Sequence, residues 1–259
     1  MSKLDALFDL SGKVAIVTGG GDGIGKGSCE ILSQAGASVV VSDLDIEKAQ
    51  AVADEIKAAG GKAIAVPCNV LKDEDLVNVV DTAVKEFGTV NILVNNAGGG
   101  GGGRENPFNT DRAYFERVFN LNLFSAWRLC QLTVPHMAKS GYGSIINITS
   151  MGSINKSPNM SAYAASKAAL NHMAANLAFD FGPMGVRINN VGPGATKTHA
   201  LATVLTPEIE ARMLAHTPIK RLGTVQDIAG AVLYFAAPVS AWVSGQVLFV
   251  NGGGIQTLD

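Results

Sequence analysis

Short β-branched runs alternate with longer helical patterns along nearly the whole chain, and that alternation limits the folds open to it. "KVAIVTG" (13–19) reads as a buried strand, and "GKGSCEILSQAG" (25–36) as a helix stopped by Gly36. The strand "SVVVSD" (38–43) is followed by a helix over 45–60, and the strand "KAIAVPCNV" (62–70) by a helix over 73–88. A fourth strand, "VNILVNNAG" (90–98), precedes a long helical stretch from about 111 to about 137. "GSIINITS" (143–150), a helix over 161–182, "VRINNVGPG" (186–194), a helix over 225–237 and "QVLFVNGG" (246–253) complete the series. Strands separated by helices run parallel, through right-handed crossovers, in a sheet covered on both faces. The expectation is an α/β fold with one doubly wound parallel sheet of about seven strands. No internal repeat and no Pro- or Ser-rich linker breaks the pattern, so residues 1–259 read as one domain.

Composition supplies a sizeable core and excludes several classes of function. Apolar residues make up 47% and charged residues 16%. A net charge of −2 and a pI near 6.1 leave no basic footprint for nucleic acid. The three cysteines, Cys29, Cys68 and Cys130, show no C-x-x-C spacing, so neither a metal site nor a disulfide framework is expected. The opening "MSKLDALFDLSGK" carries Asp5 and Asp9 where a secretory leader needs an unbroken apolar core. The most apolar late stretch, "GAVLYFAAPVSAWVSG", is interrupted by Pro238 and too short to cross a bilayer. The expectation is a soluble, cytoplasmic protein with no membrane or nucleic-acid partner.

Six consecutive glycines, Gly98 to Gly103, sit in "NNAGGGGGGRENPF" (95–108). Such a run is either a flexible linker or a place where something bound presses on bare backbone. It starts where the fourth strand ends, and ligands of open parallel sheets bind beyond the carboxyl ends of strands. The strand–helix alternation then resumes, which favours the ligand reading for Gly98 and Gly99. Gly100 to Gly103 read as the rim of a pocket.

"TGGGDGIG" (18–25) joins the first strand to the first helix. It spells Gly19-x-x-x-Gly23-x-Gly25, a tight turn of bare backbone opening on a helix N-terminus, where a pyrophosphate can sit. Asp43 ends the second strand, eighteen residues after Gly25. A carboxylate there accepts from a ribose 2′-hydroxyl and repels a 2′-phosphate, which points to NAD. The plainer role, capping the helix over 45–60, suits Asp45 better. Together these features make the sheet Rossmann-like, with a cofactor half about 1–150 and a catalytic and substrate half about 150–259.

"SAYAASKAAL" holds Tyr163 and Lys167, four apart and so on one face of a helix. Ser150 closes the fifth strand. A free tyrosine has a pKa near ~10, too high for a base at neutral pH. An ammonium beside it, and the charge of an oxidised nicotinamide, favour the phenolate. Ser150 is placed to hold the substrate oxygen as its charge changes. A surface Tyr–Lys pair is the alternative, and the glycine turn, Asp43 and Ser150 weigh against it.

Thr18-Gly19-x-x-x-Gly23-Ile24-Gly25, Asn95-Asn96-Ala97-Gly98, Ser150, Tyr163-x-x-x-Lys167 and Pro193-Gly194 resemble the short-chain dehydrogenase/reductase family across essentially the whole chain. The resemblance implies Tyr163 as general acid/base, Ser150 as the group that polarises the substrate, and Lys167 on the nicotinamide ribose, lowering the tyrosine pKa. Asn122, in "FNLNLF", matches the asparagine that holds a water in the family's proton relay, with Asn120 in a structural role. Implied cofactor contacts are Gly19, Asp22, Gly23, Ile24, Gly25, Asp43, Leu44, Asn69, Val70, Asn96, Ala97, Gly98, Tyr163, Lys167, Pro193, Gly194, Thr196 and Thr198. Asn69 departs from the aspartate usual there, though its carbonyl retains an acceptor for adenine. Homotetramers are common in similar proteins, and the apolar faces of the helices near 111–137 and 161–182 fit such an assembly. Within the family, "NNAGGGG", "NKSPNMSAYAASKAA", "TPEIEARMLAHTPIKRLG" and "SGQVLFVNGGGIQ" resemble the bacterial 7α-hydroxysteroid dehydrogenases. That implies a bile-acid or related steroid substrate contacting Gly99, Ser150, Asn155 and Tyr163, under a lid about 195–217 that includes "HALATVL" and Met213. Alternatives are a carbonyl or 3-oxoacyl-type reductase and a protein that binds NAD without turnover.

Overall fold

The computed structural model describes residues 2–102, 105–156, 158–202 and 205–254. Gly103, Thr203 and Val204, expected in the glycine loop and the lid, lie outside the described residues.

The strands are β1 (Val14–Thr18), β2 (Ser38–Asp43), β3 (Lys62–Pro67), β4 (Ile92–Asn95), β5 (Gly143–Ile148), β6 (Val186–Pro193) and β7 (Val247–Val250). They form one seven-stranded sheet in the order β3-β2-β1-β4-β5-β6-β7, with every pairing parallel. The helices are α1 (Lys3–Phe8), α2 (Gly23–Gln34), α3 (Ile46–Ala58), α4 (Asp73–Phe87), α5 (Arg112–Phe119), α6 (Ser125–Ser140), α7 (Ser161–Phe181), α8 (His199–Ala202), α9 (Pro207–Ala215) and α10 (Val225–Ala236).

Successive strand residues point to opposite faces. Ala15 and Val17 therefore join a core with α2, α3 and α10, while Ile16 between them joins a second core with α4, α6 and α7. This two-sided burial explains why the central strands are continuous apolar runs.

The expected elements are present, each ending within a few residues of its expected bounds. The exception is the long helix about 111–137, which is α5 and α6 joined by a π-helical turn over Asn120–Phe124. Such a turn inserts one residue into the helical spiral, which hydrophobic periodicity does not register.

Beneath the carboxyl end of the sheet, Asn95 donates to Asn147 (2.8 Å) and Asn147 to Asn190 (2.9 Å). These three are register partners on β4, β5 and β6. The buried ladder fixes the strand ends from which the site is built.

Candidate active site

From β1 the chain passes to β2 on one side and returns to β4 on the other, so the crevice at this switch point opens beyond Thr18 and Asn95. Asn96 closes its floor, donating from Nδ2 to the carbonyls of Thr18 and Gly19, both at 2.9 Å. Thr18 Oγ1 accepts from the N–H groups of Asn96 and Ala97, each at 3.1 Å.

The turn above is built from bare backbone. A Cβ on Gly25 would stand 1.9 Å from the Gly19 carbonyl oxygen, so no side chain fits there. Gly23 adopts a φ of +53°, and its open side meets only the Thr198 side chain, 3.5 Å from where a Cβ would be. Asp22 caps α2, accepting from the Gly23 N–H at 2.6 Å. Ile24 is half-buried behind the turn. The result is a side-chain-free mouth at a helix N-terminus, which suits a pyrophosphate.

Asp43 holds this turn. Its Oδ2 accepts from Gly21 N–H (2.9 Å) and its Oδ1 from Asp45 N–H (3.0 Å). Asp45 caps α3. Leu44 is exposed beside Asp43, and Val70 is buried after β3. Asn69 Oδ1, expected to meet adenine, already accepts from Leu71 N–H (3.1 Å) and keeps one lone pair.

The catalytic corner lies at the end of β5. Ser150 Oγ accepts from Gly152 N–H (3.0 Å), which fixes the turn leaving the strand. Gly152 packs against both the Ser150 hydroxyl and the Tyr163 ring. On α7, Lys167 lies one turn beyond Tyr163 and is 4% exposed. Its Nζ donates to the Ile148 carbonyl at 2.8 Å and sits 5.9 Å from the centre of the Tyr163 ring.

The π-turn aims Asn122 inward and leaves Asn120 exposed. Asn122 Oδ1 accepts from Gly99 N–H, and its Nδ2 donates to Gly99 O and Ser166 Oγ, all at 2.9 Å. A Cβ on Gly98 would stand 2.8 Å from Asn122 Oδ1 and 3.1 Å from Lys167 Nζ. Bare backbone is needed there because the two side chains converge on it.

Burial pushes the Tyr163 phenol above its ordinary pKa, partly opposed by the hydrogen bond with Ser150. Burial pushes Lys167 down to about 8. The expected lowering of the tyrosine by the lysine is therefore not what the protein chain does by itself. Both groups lie in one dry corner, and burial is the largest cause of each shift.

A cavity of about 360 Å³ opens beside Ser150, floored by Pro193 and Gly194 and covered by Met213 and Thr217. Asn155 also lines it. Gly99 does not; its N–H and carbonyl are both taken by Asn122, and Gly101 lines the cavity instead. Gly101 lies over the Tyr163 ring, where a Cβ would come within 3.1 Å of a ring carbon. Thr196 is buried and bridges to Gly223. His199, at the start of the covering segment, reaches to 3.8 Å from Asp22 on the glycine turn.

Glu105 carries no motif and was not expected near the site. It is buried against the first turn of α7. The one trace in the sequence is an acid just past the glycine run. Among the described residues no cluster of His, Cys, Asp or Glu is arranged to hold a metal.

This sheet, with a glycine turn at its switch point and a Ser–Tyr–Lys corner at β5, defines the class: the chain belongs to the short-chain dehydrogenase/reductase family. The family described as "Enoyl-(Acyl carrier protein) reductase" matches residues 19–254. The 7α-hydroxysteroid dehydrogenase of Escherichia coli K12 is 50% identical over 250 residues, covering 96% of this chain and 97% of the relative. The 4-formylbenzenesulfonate dehydrogenase of Comamonas testosteroni is 38% identical over 250 residues, 95% and 99% of the two chains. A solved structure of a 7α-hydroxysteroid dehydrogenase complexed with NADH and 7-oxoglycochenodeoxycholic acid superposes with a TM-score of 0.94 at 49% identity, covering 100% of both chains.

Proposed function

We propose that this protein is an NAD-dependent dehydrogenase that oxidises the 7α-hydroxyl of a bile acid or related steroid to the ketone. The observation that carries the reading is Ser150 on the wall of one cavity, with Tyr163 hydrogen-bonded to it and Lys167 5.9 Å from the centre of the tyrosine ring. Half identity, over nearly the full length, to a 7α-hydroxysteroid dehydrogenase supports the substrate.

The cofactor, when bound, accepts the hydride from the alcohol carbon. Gly19, Asp22, Gly23, Ile24 and Gly25 cradle its pyrophosphate. Asp43 and Leu44 flank the adenine ribose, with Asn69 and Val70 beside the base. Asn96, Ala97 and Gly98 line the crevice floor, and Pro193, Gly194, Thr196 and Thr198 the nicotinamide end.

Ser150 donates a hydrogen bond to the substrate oxygen. Tyr163 takes the hydroxyl proton as phenolate, or returns it to the ketone in the reverse direction. Because burial holds Tyr163 up, the phenolate becomes accessible only as positive charge gathers beside it. Lys167 supplies part of that charge, and its Ile148 bond keeps it aimed. Asn122 holds Gly99 in place, next to Gly98, which faces Lys167, and orders the relay end of the site.

Asn155 faces the reacting part of the substrate, and Met213 covers its rings. Arg212 and His216 also line the cavity, whereas no acidic side chain does among its described lining residues. That balance suits a steroid ending in a carboxylate. The described residues of the segment 195–217 form the lid, and the approach of His199 to Asp22 on the glycine turn couples closure to cofactor.

The assembly is a homotetramer. Phe124 at the end of the π-turn, Trp127 on α6 and Met173 on α7 line one exposed apolar groove, while Phe179 and Trp242 line another. Trp242 is 100% and Phe179 85% exposed, and two separate apolar patches fit two symmetric interfaces. No described helix is long and apolar enough to cross a membrane, and the three cysteines are buried free thiols, which fits the cytoplasm.

The test follows reduced cofactor by absorbance: its formation from NAD with cholate, against its consumption with small ketones and 3-oxoacyl esters. Cholate with NAD should give the highest rate, and NADP should support little because Asp43 repels its phosphate. Good activity on small ketones with none on cholate would remove the steroid reading and leave the dehydrogenase.

A further inference from the structure

Glu105 follows the glycine loop, 5% exposed, with its backbone N–H donating to Asn159 O at 3.1 Å. Its Oε2 accepts from Ser161 Oγ (2.6 Å) and Ala162 N–H (2.9 Å), and its Oε1 from Tyr163 N–H (3.2 Å). All three donors belong to the first turn of α7. The residue at the N-cap of that helix, Met160, provides no side-chain hydrogen bond.

The first four N–H groups of a helix have no partner within it, and their partial positive charge favours an anion. Here an acid from a separate loop fills that place. Burial alone would raise the Glu105 pKa, but the bonds from Ser161, Ala162 and Tyr163 outweigh it and hold the carboxyl below its ordinary range. Four residues earlier on the same loop, Gly101 lies against the ring of Tyr163. The loop thus touches the tyrosine twice, at its backbone through Glu105 and at its ring through Gly101.

We propose that Glu105 is a positioning residue that locks the glycine loop onto the N-terminus of α7, so fixing Tyr163 and the Gly101 wall that faces it. The proposal rests on the reading of Tyr163 as acid/base. A small misplacement of a reacting group is enough to slow a chemical step strongly.

The test uses Glu105→Ala and Glu105→Gln in the full-length enzyme, with turnover expressed per NADH-binding site. Glu105→Ala should lower kcat about tenfold, with NADH affinity unchanged, because the glycine turn is untouched. The primary isotope effect on kcat, read with substrate deuterated at the reacting carbon, should rise as chemistry becomes limiting. Amide exchange at Ala162 and Tyr163 should quicken. Glu105→Gln keeps an acceptor oxygen and should recover a large part of the turnover. Unchanged kcat per site, isotope effect and exchange would overturn the proposal, even if thermal stability falls. Tyr163→Phe is measured alongside. If that variant turned over normally, the acid/base reading would fail, and the clamp would stand or fall on the exchange of α7 alone.

Discussion

Two glycine-rich stretches flank the crevice, and they are rich in glycine for different reasons. In the turn from Gly19 to Gly25, the neighbours that forbid side chains are largely the turn's own backbone and the core below it. Gly25 closes on the Gly19 carbonyl, and Gly20 is boxed by Val41, Cys29 and the Val17 carbonyl. In the loop after Asn96, the neighbours of Gly98 and Gly101 are side chains of the candidate catalytic corner, and that of Gly100 is a buried valine. Gly98 meets Asn122 and Lys167, Gly100 meets Val118, and Gly101 meets Tyr163. The first stretch is a backbone cradle whose shape is its function. The second is a fitted cover over groups that do the chemistry elsewhere.

This contrast orders the expected effects of substitution. Tyr163→Phe removes the proposed proton carrier under the second stretch and leaves the first intact. Turnover should fall about 100-fold or more with NADH affinity retained, measured by steady-state rates and calorimetry. Normal turnover would take Tyr163 out of the mechanism. Gly25→Ala does the reverse: its methyl has no room beside the Gly19 carbonyl. NADH binding should weaken about 100-fold, the upper part of the usual overpacking cost. Binding near the unmodified level would mean that the turn is softer than its geometry implies.

Within the second stretch the effects should be graded. Gly101→Ala presses a methyl on the Tyr163 ring, so kcat/KM should fall about tenfold through small displacements. Gly99→Ala meets only a Leu121 methyl, at 3.3 Å. Its activity should stay within about threefold, because a flexible side chain yields readily. If Gly99→Ala were the more damaging of the two, the assignment of Gly101 to the cavity wall would be wrong.

The fold was legible because two-sided burial forces apolar runs on strands such as β1, β2 and β4, and the helices between them carry clear stops such as Gly36 and Gly88. Ser150, Tyr163 and Lys167 were legible because their spacing on a strand end and one helix face brings them together without knowledge of any loop. What could not be read came from long-range contacts. The bond of Asp43 to Gly21 joins residues 22 apart in sequence, and the reach of Glu105 to Ala162 spans 57. Neither leaves a periodic or motif signal. The swap of Gly99 for Gly101 has the same origin, since a run of identical residues gives no register. The π-turn that aims Asn122 was hidden because one inserted residue barely disturbs a helical pattern. The burial that raises the tyrosine pKa in the chain alone was hidden because it depends on the whole corner, not on the lysine beside it.

The account's central claim is that a 7α-hydroxyl, held between Ser150 and Tyr163, presents its carbon-bound hydrogen to the cofactor. The most direct test compares NADH formation on cholate and on its 7β-epimer under identical conditions. With the oxygen in the same place, the epimer turns its hydrogen to the wrong side. The account predicts rapid oxidation of cholate and far slower oxidation of the epimer. Equal rates on the two would contradict it.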